Sequence, residues 1–244
     1  MYNIYLLGVG INPSLQITEE TKQAIRASTE ALVLHPDEEV KKIIRKINPN
    51  INIQDAEEFY SGVKIRQEAY KKISEYIIKR ANSGSKISFI VHGHPLFLVS
   101  ATEYIIQLAT ENNIKTRLVP AVSSFDTLMC DLGTDYGYAV QIFDTTTLLS
   151  NNWKINPEVP LLLFQLATTN NKEVVRNEPS KEILKPIGDL LKNFYPLDHE
   201  VLLTHSSTSI FESPEVKRLK ISSLSNMDIS LDRRPTLYVP AIRR

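Results

Sequence analysis

Cysteine is nearly absent from this chain, since Cys130 is the single cysteine among its 244 residues. A lone cysteine excludes an intramolecular disulfide and favours a protein of a reducing, cytoplasmic setting. The surrounding residues, TLMCDLG, form a mostly apolar run. Such a run predicts a buried structural thiol rather than an exposed nucleophile.

An excess of charge of one sign is also lacking, because 28 basic residues balance 28 acidic ones. No overall field therefore recruits nucleic acid or an anionic membrane, and neither is an expected partner. The apolar start, MYNIYLLGVG, is too short to span a bilayer and lacks the basic segment and cleavage site of a signal peptide. It is typical of a first buried strand.

The glycine-rich nucleotide motifs are missing. Gly8 and Gly10 form an isolated G-x-G without the third glycine of a dinucleotide fingerprint, and no G-x-x-x-x-G-K occurs. His92 and His94 are close in sequence, but no Cys-x-x-Cys or His-Glu-x-x-His pattern accompanies them. We therefore expect no metal, and we expect any nucleotide-like ligand to be recognised in another way.

What is present is an alternation of strand and helix patterns, which predicts α/β architecture with a more mixed sheet in the second half. We expect two subdomains, residues 1–120 and 121–244. Predicted strands are Asn3 to Val9, Ala31 to Leu34, Ile51 to Ile53, Lys86 to Val91, Arg117 to Val119, Tyr138 to Phe143, Leu161 to Leu166, Val201 to Thr204 and Thr236 to Val239. Predicted helices follow Thr18, span Glu38 to Ile47, Val63 to Ser83 and Lys181 to Phe194, and follow Ser100 and Ser123. Pro186 is expected to bend or shorten the Lys181 to Phe194 helix. Ser206 to Ser225 is predicted to contain a loop.

Two strand-to-helix loops are candidate ligand sites. Gly93-His94-Pro95 follows one predicted strand, and Pro120 to Ser124 follows the next. Open α/β sheets bind ligands at the carboxyl ends of their strands, where helix amides and hydroxyl groups also gather. We expect the two loops to share one ligand.

At these residues a family resemblance appears. The initial G-x-G, the loop GHPLFLVS and the segment PAVSSFD resemble the signatures of corrin and porphyrin (tetrapyrrole) methylases. The further combination of FY-x5-R-x3-Y with SSFDTLMCDLG resembles the borosin-type peptide backbone α-N-methyltransferases within that superfamily. Ala121 and Asn12 stand where glycines are common, and neither change removes a reacting group. The resemblance implies two α/β subdomains with the cofactor and the active site in the cleft between them.

The resemblance also implies S-adenosylmethionine as the cofactor and a homodimer as the assembly. The residues that it assigns to the cofactor pocket are Gly8, Gly10, His92, His94, Phe97, Val99, Ser123, Ser124, Gln165 and Thr236. For each histidine, a purely structural hydrogen-bonding role is the alternative.

Tyr60, Arg66 and Tyr70 match the family's substrate-activating Tyr, Arg and Tyr in order and spacing. Arg66 and Tyr70 are four residues apart, so they share a helix face. From spacing alone, such a pair is more often a surface stacking pair.

Three functions stay open at this stage. The first is methylation of backbone amide nitrogens in a separate, ribosomally made precursor peptide, which we favour because the chain ends at PTLYVPAIRR without a long appended tail. The second is methylation of a tetrapyrrole or another small metabolite. The third is a noncatalytic module that binds S-adenosylmethionine or a peptide.

Overall fold

The computed structural model describes residues 2–174, 182–226 and 234–242. The chain divides into two compact units, Met1–Thr127 and Leu128–Arg244. This division falls inside helix α6 (Ser124–Leu132), whereas the sequence places the change of subdomain at the preceding strand-to-helix loop.

The first unit is a repeated strand-helix structure. Its strands are β1 (Ile4–Gly8), β2 (Glu30–Leu34), β3 (Asn52–Asp55), β4 (Ile87–Val91) and β5 (Thr116–Val119). Its helices are α1 (Pro13–Gln16), α2 (Glu19–Ala27), α3 (Glu39–Ile47), α4 (Arg66–Asn82) and α5 (Ser100–Glu111), with a 3-10 turn at Ala56–Tyr60.

Within the described residues, these strands form a five-stranded sheet in the order β3-β2-β4-β1-β5, and all its pairings are parallel. One face is covered by α4 and α5, whose Ile73, Ile77 and Ile105 pack with Leu6 and Phe89. The other face is covered by α2 and α3. Burial on both faces explains why these strands are short runs of Ile, Leu and Val. Because the strands are parallel, all five carboxyl ends lie at one edge.

The second unit has a mixed sheet, as the sequence predicts. Its elements are β6 (Gln141–Asp144), α7 (Thr145–Ser150), β7 (Leu161–Phe164), a 3-10 turn at Leu166–Thr168, α8 (Lys185–Leu191), β8 (Glu200–His205), β9 (Glu215–Lys220), α9 (Ile221–Leu224) and β10 (Thr236–Val239). In the described part of the chain the order is β6-β7-β10-β8-β9, with β6 and β7 parallel and the other pairs antiparallel. The core includes Leu161, Leu163, Ile187 and Leu237.

Two of the predicted helix starts are confirmed. The Thr21 amide donates to Thr18 Oγ1 at 3.1 Å, which caps α2. At α6, the Asp126 amide donates to Ser123 Oγ at 3.3 Å, and the Ser123 amide donates to Asp126 Oδ2 at 2.6 Å. This reciprocal pairing satisfies amides that a helix start otherwise leaves open.

Other sequence predictions are wrong. Ser100 does not cap α5, because it is already the first helical residue and Val99 holds the cap position. Cys130 is exposed rather than buried. Helix α8, by contrast, is shortened at Pro186 as expected: it starts at Lys185 and ends at Leu191, with the proline in its first turn. The first residue of the predicted helix, Lys181, lies outside the described residues.

Candidate active site

At the carboxyl edge of the first sheet, the loops after β1 and β4 are joined by backbone hydrogen bonds, and the loop after β5 approaches them through Ala121. The Gly93 amide donates to the Gly10 carbonyl at 3.0 Å, and the Gly10 amide donates to the Gly93 carbonyl at 3.3 Å. A Cβ added to Gly8 would lie 2.1 Å from the Gly93 oxygen and 2.7 Å from Ala121 Cβ. Only a residue without a side chain fits there, so Gly8 sets how closely the three loops approach.

The backbone of these loops adopts conformations that favour glycine. The φ angles are +77° at Gly10 and +69° at Gly93. Leu98, just before α5, has a φ of +61° although it carries a side chain. Left-handed backbone at a non-glycine residue stores strain and is often found at ligand-binding turns.

Side chains connect the two loops that were expected to share a ligand. The Phe97 ring, after β4, lies 6.4 Å from the Phe125 ring at the start of α6. Phe97, Val99 and Ser124 are each partly exposed at this edge. The structure therefore brings together the members of the predicted cofactor set that belong to the first unit.

Two of the predicted polar residues also support the local backbone. His94 Nδ1 accepts from the Leu96 amide at 3.1 Å, which holds the turn of its own loop. Ser123 Oγ donates to Asp126 Oδ2 at 2.6 Å as part of the α6 cap. For Ser123, the side chain is thus engaged in capping, whereas Ser124 forms the first residue of the helix.

His92 pairs with a histidine that the sequence analysis did not single out. His92 Nδ1 lies 3.0 Å from His35 Nε2, and the ring centroids are 4.9 Å apart. His35 is 6% exposed, whereas His92 is exposed. Burial, with a smaller contribution from His92, lowers the pKa of His35 to about 4. The position of His35 in the sequence could have indicated this pair, because His35 directly follows β2 just as His92 directly follows β4.

Gln165 and Thr236 belong to the second unit. Gln165 directly follows β7 and has a φ of +61°, and Thr236 opens β10. Since Leu163 pairs with Leu237 in an antiparallel register, the end of β7 and the start of β10 lie at one edge of that sheet. The two residues are thus neighbours at the edge of their own sheet.

The predicted catalytic residues lie beyond the carboxyl end of β3. Tyr60 ends the 3-10 turn that follows β3, Arg66 is the first residue of α4, and Tyr70 is about one turn further on. The Tyr60 and Tyr70 rings contact each other edge to face, with centroids 6.3 Å apart. Tyr104 of α5, which the sequence analysis did not single out, places its ring 6.2 Å from that of Tyr70.

These positions form a row along a single edge. In the strand order, the catalytic candidates follow β3, His35 follows β2, His92 and His94 follow β4, Gly8 and Gly10 follow β1, and Ser123 and Ser124 follow β5. Neighbouring strands are about 4.8 Å apart. In this order, the strands that precede the histidine pair, β2 and β4, lie between the strand that precedes the catalytic candidates and the strand that precedes the glycine loop.

The described residues hold neither a cluster of metal ligands nor a helix suited to a membrane. Across 2–174, 182–226 and 234–242, no group of three or more His, Cys, Asp or Glu side chains is arranged to hold a metal ion. Over the same ranges, no helix combines the length and the apolar character that crossing a membrane requires.

Comparison with known proteins places the chain in a family context. A family model described as Tetrapyrrole (Corrin/Porphyrin) Methylases matches residues 3–220. The chain is 23% identical over 243 residues to the methyltransferase/cyclic peptide gymnopeptides precursor of Gymnopus fusipes, covering 98% of this chain and 57% of that protein. It is 26% identical over 246 residues to the methyltransferase/type I borosin cyclic peptide precursor of Gymnopilus junonius, again covering 98% and 57%. The chain thus spans little more than half the length of these relatives.

Solved structures show the same fold. The methyltransferase CobJ aligns with a TM-score of 0.66 at 10% identity, over 100% of this chain and 97% of that one. Uroporphyrin-III C-methyl transferase from Thermus thermophilus, complexed with S-adenyl homocysteine, aligns with a TM-score of 0.62 at 14% identity, over 98% and 92%. With the family model matching most of the sequence and the fold in agreement, this chain belongs to the tetrapyrrole (corrin/porphyrin) methylase family.

Proposed function

We propose that this chain is an S-adenosylmethionine-dependent methyltransferase that methylates backbone amide nitrogens of a peptide supplied as a separate molecule. The observation that carries the proposal is the placement of Tyr60, Arg66 and Tyr70 at the same sheet edge as the glycine and histidine loops. The names of the relatives, which join a methyltransferase to a cyclic peptide precursor, support a peptide as the acceptor.

The residues at this edge fit S-adenosylmethionine chemically. The ligand combines a flat purine, a ribose and a charged amino acid portion. Partly exposed Phe97 and Val99 offer apolar surface for the purine, while Ser124, His94 and the backbone of the loops offer polar partners. We assign Gly8, Gly10, His92, His94, Phe97, Val99, Ser123 and Ser124 of the first unit to cofactor binding. Gln165 and Thr236, which are neighbours at the edge of the second unit's own sheet, stay in the proposed cofactor-binding set.

The difficulty of the reaction lies in the acceptor. An amide nitrogen shares its lone pair with the carbonyl group, so it is a poor nucleophile. When bound, S-adenosylmethionine supplies an electrophilic methyl group on a sulfur that departs as a neutral thioether. The protein must therefore stabilise charge on the carbonyl oxygen and remove the N–H proton.

The three catalytic candidates provide groups suited to both tasks. The planar guanidinium of Arg66 can donate to the carbonyl oxygen and stabilise imidate-like charge. A tyrosine whose pKa were lowered from its usual value of about 10 could accept the N–H proton. Contact between the Tyr60 and Tyr70 rings holds both side chains close to the start of α4, and such positioning contributes to the rate in its own right.

Localisation of the methyl group tests the reaction class. The purified chain is incubated with S-adenosylmethionine and a synthetic peptide encoded by a neighbouring reading frame, and the product is fragmented in a mass spectrometer. We expect added methyl groups on backbone nitrogens. Methyl groups on lysine, histidine or carboxylate side chains would contradict the proposal, and methylation of uroporphyrinogen instead of peptide would favour a tetrapyrrole substrate.

Ligand binding tests the cofactor separately. Calorimetry is expected to show binding of S-adenosylmethionine and S-adenosylhomocysteine but not of NAD. A folded sample that binds neither sulfur ligand would reject the assignment. Binding of both without turnover of any acceptor would favour a noncatalytic binding module.

A further inference from the structure

The pair formed by His35 and His92 results from strand register. Strands β2 and β4 are parallel neighbours, and Leu34 pairs with Val91 at their carboxyl ends. The next residue on each strand is a histidine, so the two rings emerge side by side. Their nitrogens, His35 Nε2 and His92 Nδ1, are 3.0 Å apart.

A third group determines which nitrogen carries the proton. The Asp37 amide donates to His35 Nδ1 at 3.0 Å, so this nitrogen must be the unprotonated one. A neutral imidazole has one N–H and one acceptor nitrogen. His35 therefore carries its proton on Nε2 and donates it to His92 Nδ1. In turn, a neutral His92 must carry its own proton on Nε2.

Burial favours the neutral form of His35. With 6% exposure, the ring cannot easily gain a charge, and its pKa is lowered to about 4. The neighbouring Asp37 opposes this shift, but its carboxylate also accepts from the Glu39 amide at 2.8 Å. Protonation of His92 on Nδ1 would set two N–H groups against each other, so this geometry matches an unprotonated His92 Nδ1.

We propose that His35 is a positioning residue that, through its Nε2–H, holds His92 neutral with the proton on Nε2 at the edge where the methyl donor binds. The location of that edge rests on the proposed function. S-adenosylmethionine carries a positive sulfonium, and a second positive charge at the same edge would oppose its binding. A neutral histidine, in contrast, offers hydrogen bonding without that cost.

Nitrogen NMR tests the pairing directly. In uniformly 15N-labelled protein, we expect a through-hydrogen-bond coupling that correlates His35 Nε2, as the protonated partner, with His92 Nδ1. His35→Gln places an amide N–H near the position of Nε2, so His92 Nδ1 should still accept a hydrogen bond. His35→Phe removes the donor, so His92 Nδ1 should no longer be held as an acceptor. His199, whose Nε2 lies 2.9 Å from the Pro240 carbonyl in the second unit, is the internal reference.

The contrary NMR outcomes are equally specific. A proton on His92 Nδ1 in the wild type would overturn the proposal. So would a His92 nitrogen spectrum that is the same in wild type and in folded His35→Phe. Because these readouts need no ligand, they decide the pairing even if the proposed function fails.

Calorimetry then tests the consequence for charge. S-adenosylhomocysteine lacks the sulfonium. The affinity for S-adenosylmethionine divided by the affinity for S-adenosylhomocysteine therefore reports on positive charge at the site. At pH 6, below the ordinary histidine pKa of about 6.5, His35→Phe should lower this ratio roughly fivefold relative to wild type, as one weakly screened like charge predicts. His35→Gln should keep the wild-type ratio.

The titratable groups next to His92 in the described part of the chain include His35 on the neighbouring strand end, His94 in its own loop, and Asp37 beyond His35. His94→Asn, measured in parallel, accounts for the second histidine. An unchanged affinity ratio in folded His35→Phe would reject the role of the pair in charge selection. Failure of both ligands to bind the wild type would instead reject the proposed function.

Discussion

At the scale of single residues, Tyr60, Arg66 and Tyr70 provide the test of catalysis. Tyr60→Phe and Tyr70→Phe each remove one hydroxyl, and Arg66→Lys keeps the charge but loses the planar fork. We expect peptide turnover to fall, by on the order of 10²-fold where an oriented charge-stabilising donor is lost. Calorimetry with S-adenosylmethionine should give wild-type affinity for all three variants.

The matched control for this series is Tyr76→Phe. Tyr76 lies on the same helix, α4, but its ring packs against Phe59 at 5.4 Å rather than against the catalytic candidates. This variant should keep wild-type turnover. Unchanged turnover in all three catalytic variants would show that the constellation is wrong.

Gly8 is the residue whose replacement should disturb the loop edge most directly. An alanine Cβ there would clash with the Gly93 carbonyl oxygen at 2.1 Å, and that oxygen belongs to backbone that cannot simply rotate away. We expect Gly8→Ala to lower the free energy of unfolding by on the order of 3 kcal/mol. It should also weaken S-adenosylmethionine binding, which urea unfolding and calorimetry would measure.

Gly137→Ala is the control for that substitution. Its added Cβ would meet only the end of the flexible Asp135 side chain, at 3.0 Å. Wild-type stability is expected. If Gly8→Ala matched this control, the close approach of the three loops would not depend on glycine.

At the scale of elements, an ion pair joins strand β2 to helix α4, which carries two of the catalytic candidates. Arg80 Nε donates to Glu30 Oε2 at 2.7 Å, a second guanidinium nitrogen contacts the other carboxylate oxygen, and Ser85 Oγ donates to that oxygen at 2.6 Å. The Arg80 guanidinium lowers the pKa of Glu30 below its ordinary value of 4.5, against the opposing effect of burial.

The sign of the pH dependence follows from this pKa. A carboxyl group with a lowered pKa in the folded state stabilises the protein above pH 4.5 and loses that contribution as the pH falls through the folded value. We expect Glu30→Gln to lower the urea midpoint at pH 7 and to differ less from wild type at pH 4. Glu19→Gln, which removes an exposed pair with Arg26, should leave the midpoint unchanged at both pH values.

At the scale of the whole molecule, the family resemblance leads us to expect a homodimer. Light scattering over a range of concentrations should report twice the monomer mass of 27.7 kDa. A closed two-fold assembly is the commonest form of soluble oligomer. A single species at the monomer mass at every concentration would contradict this expectation.

By itself, the sequence determined the elements whose cause is local. Buried strands of Ile, Leu and Val, the caps at Thr18 and Ser123, and the alternation of strands with helices all follow from neighbouring residues, so the α/β class could be predicted. Strand β9 escaped prediction because its residues, EVKRLK, are almost all exposed. It is a strand because it pairs with β8 at the sheet edge, and that pairing is not written in its own composition.

Only the tertiary structure decided which distant residues meet. Parallel pairing of β2 with β4 sets His35 beside His92, although 57 residues separate them in the chain. The same strand order aligns the catalytic candidates, the histidine pair and the glycine loop along one edge. Local propensity acts over a few residues, whereas strand order depends on the packing of whole helices on both faces of the sheet. For this reason, no local sequence pattern predicts these contacts.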